Sequence, residues 1–201
     1  CMLKNIFALI VSIAFSACVS CNNSGTGAKG AGQAFDSFRV HFRTQPLPIV
    51  IKGCNIEPAK FDELRIADYH QFVSYSDNEY AYCSFKANGD YIGIITLGPA
   101  DCFFPILKTF DKNGNKIDER DIHIGGCGAD CGFSCEEFMT LREDYTLYTS
   151  DTISYYKCDT AGNEIPGTKE HYVVYKKGRL LPTGKIELTD ESKLPLNDGH
   201  N

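Results

Sequence analysis

His123, Cys127, Cys131 and Cys135 recur every four residues in "HIGGCGADCGFSC". One imidazole and three thiols form a donor set that zinc binds tetrahedrally. In an oxidising compartment the same thiols close disulfides instead. Residues four apart converge on a helix, but Gly125, Gly126, Gly128 and Gly132 argue against one here. They suit the tight, positive-φ turns of a cysteine-dense loop. The chain carries ten cysteines. Beyond residue 33 these are Cys54, Cys83, Cys102, Cys127, Cys131, Cys135 and Cys158, read first as disulfide partners of undetermined pairing. A metal at His123, Cys127, Cys131 and Cys135 is the alternative. A bridge closing a loop of about fifteen residues contributes about 3 kcal/mol in the entropic account.

Other chemistry is sparse. Gly132-Phe133-Ser134-Cys135-Glu136 begins like a nucleophile elbow but ends in Glu136, where that turn needs glycine. No P-loop, G-x-G-x-x-G or H-E-x-x-H is present, so no cofactor is expected. His41, His70, His123, His171 and His200 are scattered. Asp111, Asn113 and Asn115 alternate oxygens as a calcium loop does, but Gly114 comes fourth and Ile122 twelfth, where an EF-hand needs Gly sixth and Glu twelfth. "DKNGNKI" and "DTAGNEI" share D-x-x-G-N-x-I, read as one turn type in which Asp binds its own backbone and Gly turns left-handed. Catalytic residues are therefore unknown, and the balance leans away from an enzyme. Two classes stay open: a non-catalytic binding or structural module, and an exported hydrolase whose site is assembled from distant residues.

The compartment is read from the other end. Lys4 precedes an apolar run from Ile6 to Phe15, too short to span a bilayer, then Ser16, Ala17 and Cys18. This is a secretory signal over residues 1–17. "FSAC" resembles the lipobox of bacterial lipoproteins, and the whole has the look of cysteine-rich lipoproteins of Gram-negative bacteria. The resemblance implies acylation of Cys18, with Cys21 of "CVSC" as the alternative, and a membrane attachment through that lipid. The expected location is the cell envelope, at the outer membrane facing the periplasm. Residues 18–33, rich in Gly, Ser and Asn, read as anchor and flexible tether. Losing residues 1–17 removes Lys4 and no acid, moving the net charge from −6 to −7. That acidity argues against nucleic acid.

One domain follows, at 34–189, with 190–201 as a mobile tail. Phe35, Phe38 and Phe42 mark a helix, and "EPAKFDELRIADYHQF" a second. "LPIVIKGC" reads as extended. Beyond residue 79, aromatic and β-branched runs are joined by Asn88-Gly89-Asp90 and Asn113-Gly114-Asn115, hairpin signals, and "KKGR" at 176–179 reads as another hairpin tip. Eleven Tyr and thirteen Phe suit half-buried strands. The expected fold is α+β and mainly antiparallel β: one or two N-terminal helices packed on a hairpin-rich meander sheet of seven to nine strands. Its core should include Phe85, Ile92, Ile94, Phe104, Leu107, Ile117, Ile153, Tyr172 and Val174. The candidate binding face is Tyr80, Tyr82, Tyr91, Tyr155 and Tyr156, since Tyr presents a large apolar body with a polar tip.

Overall fold

The computed structural model describes residues 26–53, 56–75, 78–100, 102–125, 127–128 and 130–196. Cys18, Cys21 and Cys54 lie outside the described residues. The chain is α+β and mainly antiparallel, but its strands form two sheets rather than one. Sheet A is a sequential meander of β2 (Glu63–Arg65), β3 (Asn78–Lys86), β4 (Ile92–Gly98), β5 (Phe104–Phe110) and β6 (Lys116–Asp121). Sheet B runs β1 (Ile49–Lys52), β7 (Phe133–Leu141), β8 (Thr146–Tyr155), β9 (Glu170–Leu180) and β10 (Ile186–Leu188), with β11 (Ser192–Pro195) also on β9.

The sheets share a core in which Cys83, Phe85, Ile95, Leu107 and Ile122 of the sheet A side meet Ile49, Ile51, Met139, Leu141, Leu147 and Leu180 of sheet B. The other face of sheet A is covered by α1 (Thr26–Arg39) and the segment around Phe72, through Phe35, Phe38, Phe42, Phe72 and Phe110. Sheet A is thus the middle layer. That explains its sequence: "IGIITLG" and "FPILKTF" are near-continuous buried runs, whereas β8, "TLYTSDTISY", mixes polar and apolar residues.

Burial on both faces takes in Thr96, Thr109 and one charged residue. Lys108 of β5 is fully buried, with Nζ 2.8 Å from Glu79 Oε1 and 2.8 Å from the Phe72 carbonyl oxygen that accepts its proton. Burial depresses the Lys108 pKa, and the facing Glu79 and Glu119 carboxylates oppose that shift.

The twin D-x-x-G-N turns are realised alike. The Asp111 carboxylate accepts from the amides of Asn113 and Asn115, and Asp159 accepts from those of Ala161 and Asn163. Gly114 and Gly162 both take positive φ, at 87° and 85°.

Several expectations are corrected. The second helix shrinks to α2 (Ile66–Tyr69) after a 3-10 turn at Pro58–Lys60, because β2 claims Glu63–Arg65 to pair with β3. α1 extends into the expected tether, starting at Thr26. "KKGR" lies within β9, where Lys176 pairs Thr149 and Arg179 pairs Thr146; the turn follows at 181–185. The tail is not wholly mobile, since β11 pairs Ser192 with Tyr175 and Pro195 with Tyr172. Of the expected core, Phe85, Ile94, Leu107 and Ile153 are buried, while Ile92, Phe104, Ile117, Tyr172 and Val174 are half-buried.

Candidate functional site

The four-residue spacing of His123, Cys127, Cys131 and Cys135 does not converge on one centre. Cys127 is bridged to Cys135, and Cys131 to Cys158 on the β8–β9 connection. Cys102 is also disulfide-bonded. Cys83 is not: β3 turns it into the shared core, where it is a buried free thiol, and burial pushes its pKa up to about 12.

The proposed tyrosine face is divided. Tyr80 and Tyr82 are on β3 of sheet A, packed against Phe103 and Phe61. Tyr91 is buried and donates to Asn88 Oδ1. Tyr155 ends β8 in the other sheet, and Tyr156 follows, its amide bonded to the Gly132 carbonyl. Strand alternation and a change of sheet separate residues that stand close in sequence.

What gathers instead lies on β7. β1 ends at Lys52, opposite Phe138, while β7 runs on to Phe133. Among the described residues, 133–137 are therefore unpaired on that side, tied at the start by the Gly53 amide on the Glu137 carbonyl. A cavity of about 510 Å³ sits there, lined by Lys52, Gly53, Cys135, Glu136, Glu137, Phe138 and Thr152.

Two surfaces meet at this edge because side chains alternate along β7. Inward go Cys135, Glu137 and Met139, in line with Ile153, Asp151 and Thr149 of β8. Glu137 stands directly across from Asp151, which is buried. Burial, and then the Asp151 charge, raise the Glu137 pKa above the ordinary carboxylate range. A second, water-sized cavity joins both carboxyls to His123 and Thr149. The His123 ring lies against Phe104, with centroids 4.5 Å apart, and burial lowers its pKa. The sulfurs of Cys127 and Cys135 and a carboxylate oxygen of Asp151 all lie within 4.8 Å of one another.

Outward go Phe138 and Thr140, aligned with Ser150 and Tyr148 of β8 and, through them, Tyr175 and Lys177 of β9. The rings form a ladder across three adjacent strands: Phe138 to Tyr148 is 6.3 Å, and Tyr148 to Tyr175 is 6.0 Å. Exposed Val50 and Leu194 flank it on the outer strands. None of the three rings belongs to either hydrophobic core. Phe138 both lines the larger cavity and begins the ladder, so cavity and ladder are continuous.

Comparison of the chain with family models, curated proteins and solved structures returned no match. The sequence reading assigned no role to Glu137, Asp151, Phe138, Tyr148 or Tyr175. Their alternation was visible in "SCEEFMTL" and "TLYTSDTISYY", but which residues stand opposite one another is set by strand register, which no local pattern prints.

Proposed function

We propose that this is an exported, lipid-anchored envelope protein that binds a ligand with flat apolar faces and many hydroxyls, an oligosaccharide, along the outer face of sheet B. The Phe138–Tyr148–Tyr175 ladder carries the reading. Aromatic rings spaced about one sugar apart offer stacking surfaces for successive C–H faces. Polar groups beside them, Thr152, Lys52 and Glu136, offer hydrogen bonds to hydroxyls, and the cavity at the β7 edge seats one end of the chain. The signal run, the "FSAC" resemblance and the disulfides support export and anchoring at Cys18. Three adjacent rings on a rigid sheet need little ordering on binding, which favours recognition over turnover.

Affinity electrophoresis of the full chain in gels of embedded polysaccharides, bacterial envelope glycans among them, tests this. Retardation by at least one polysaccharide, lost in Tyr148→Ala with an unchanged circular dichroism spectrum, is expected. Migration unaffected by every polysaccharide, or equal retardation of Tyr148→Ala, sinks the reading.

One observation favours hydrolysis as a second reading: Glu137 and Asp151 face each other across adjacent strands and line the same water-sized cavity, with the Glu137 pKa raised, as an acid–base pair requires. Release of reducing ends from a bound polysaccharide, abolished in Glu137→Gln, would establish it. Binding without release at any pH from 4 to 8 leaves the protein a binding module.

A further inference from the structure

We propose that reduction of the Cys127–Cys135 bridge creates a three-ligand site for a borderline-soft divalent cation such as Zn²⁺, formed by the two thiolates and the Asp151 carboxylate. The placement rests on the positions of three donors. Their ligand atoms already lie within 4.8 Å of one another, so side-chain rotation alone brings them to a common centre. The Cα atoms of Cys127 and Cys135 are 5.3 Å apart, and both thiolates can reach one ion without backbone movement. Two thiolates with one carboxylate match the nitrogen, sulfur and oxygen donors zinc accepts in tetrahedral sites, leaving a fourth position open.

The wiring of the loop lets this bridge open by itself. Cys127–Cys135 spans eight residues, whereas Cys131–Cys158 spans 27 and ties the loop to the β8–β9 connection. With the short bridge reduced, the loop stays fastened by the long one. Cys135 sits on β7 and Asp151 on central β8, so two of the three donors are fixed by the sheet. Cys135 also lines the cavity at the β7 edge, which gives a small reductant and a hydrated ion a way in. Charge fits as well. The two thiolates bring negative charge that a dication neutralises.

The step balances with a dithiol as reductant. It passes two electrons and two protons to the bridge and becomes a cyclic disulfide, leaving Cys127 and Cys135 as thiols. Metal binding then releases those two protons to solvent. The site is therefore read only in reduced protein, and differs from the evenly spaced set of His123 and three cysteines, from which Cys131 is withdrawn by its own bridge.

Cobalt(II) is the probe. The full chain is reduced with a dithiol, freed of reductant without air, and titrated with Co²⁺. One equivalent should bind, with thiolate charge-transfer and tetrahedral ligand-field bands; oxidised protein should show neither. Cys127→Ser and Cys135→Ser should each lose the bands, and Asp151→Asn should bind at least tenfold more weakly. A Cys131→Ser/Cys158→Ser chain, which keeps the site and removes the other pair, should retain them. Absence of bands in the reduced wild type, their persistence in Cys127→Ser, or equal affinity in Asp151→Asn overturns the proposal. Should Asp151→Asn fail to fold, loss in Cys127→Ser together with retention in Cys131→Ser/Cys158→Ser supports the thiolate pair, and the reverse pattern refutes it.

Discussion

Lys108 and Glu79 are costly residues to bury. Each is 0% exposed, and neither can be left without the other. Truncating Lys108 to Ala strands a buried carboxylate and should lower unfolding free energy by about 3–5 kcal/mol, whereas the paired change Glu79→Leu/Lys108→Met should cost far less. Urea unfolding of the single and double variants separates the two. Glu137 presents the opposite case, a carboxyl that is costly to ionise. It binds its proton more tightly folded than unfolded, so stability falls as pH rises from the ordinary carboxylate range through its folded value. Glu137→Gln should match wild type at the acid end and become the more stable chain as pH rises. Thermal melts across pH 3–8 check it; a gap that widens toward acid contradicts it. The types of these residues were plain in the sequence, but their pairing was not. A lysine in "FPILKTF" reads as solvated until Glu79 is known to face it, and that depends on the covering of sheet A by α1 and Phe72.

At the scale of elements, the twin turns offer a controlled comparison. Both glycines hold positive φ, but a Cβ at Gly162 would meet nothing within 4 Å, while one at Gly114 would lie 2.5 Å from Phe35 Cβ. Gly162→Ala should cost about 1–2 kcal/mol of backbone strain. Gly114→Ala should cost distinctly more, because it also pushes α1 off sheet A; chemical denaturation of the two variants gives the difference. These turns and the two hairpins were legible because their signals are local: Asp binding its own backbone, Gly turning left-handed, aromatic runs on either side. The element at 57–72 and the strand at 176–179 were misread for the converse reason. Good helix formers were overruled by β2 joining β3, and "KKGR" was drawn into β9 by ten residues of pairing with β8.

For the molecule as a whole, the two mapped bridges do unequal work. In the entropic account, removing Cys131–Cys158, with its separation of 27, should cost about 3.5 kcal/mol, and removing Cys127–Cys135, with its separation of 8, about 2.5 kcal/mol. Melting of the two double-serine variants under non-reducing conditions tests the order. The α+β class and antiparallel strands were readable from composition and turn spacing. The division into two sheets was not, although the largely apolar runs of β4 and β5 against the mixed pattern of β8 carried its trace: a strand covered on both faces is largely apolar on both.

Sheet A lies, in chain order, inside the segment that separates β1 from its partner β7. Ile49 pairs with Leu141 only after the five strands between have been threaded. The meander can assemble from neighbouring contacts, but closing β1 onto β7 waits on the long loop's ends meeting, which is slow and brings its reward last. Ile49→Val should therefore quicken unfolding and leave the refolding rate nearly unchanged, while Ile95→Val in the meander should slow refolding. Stopped-flow refolding and unfolding of the two variants would show β1 as the final latch, and the first strand to let go.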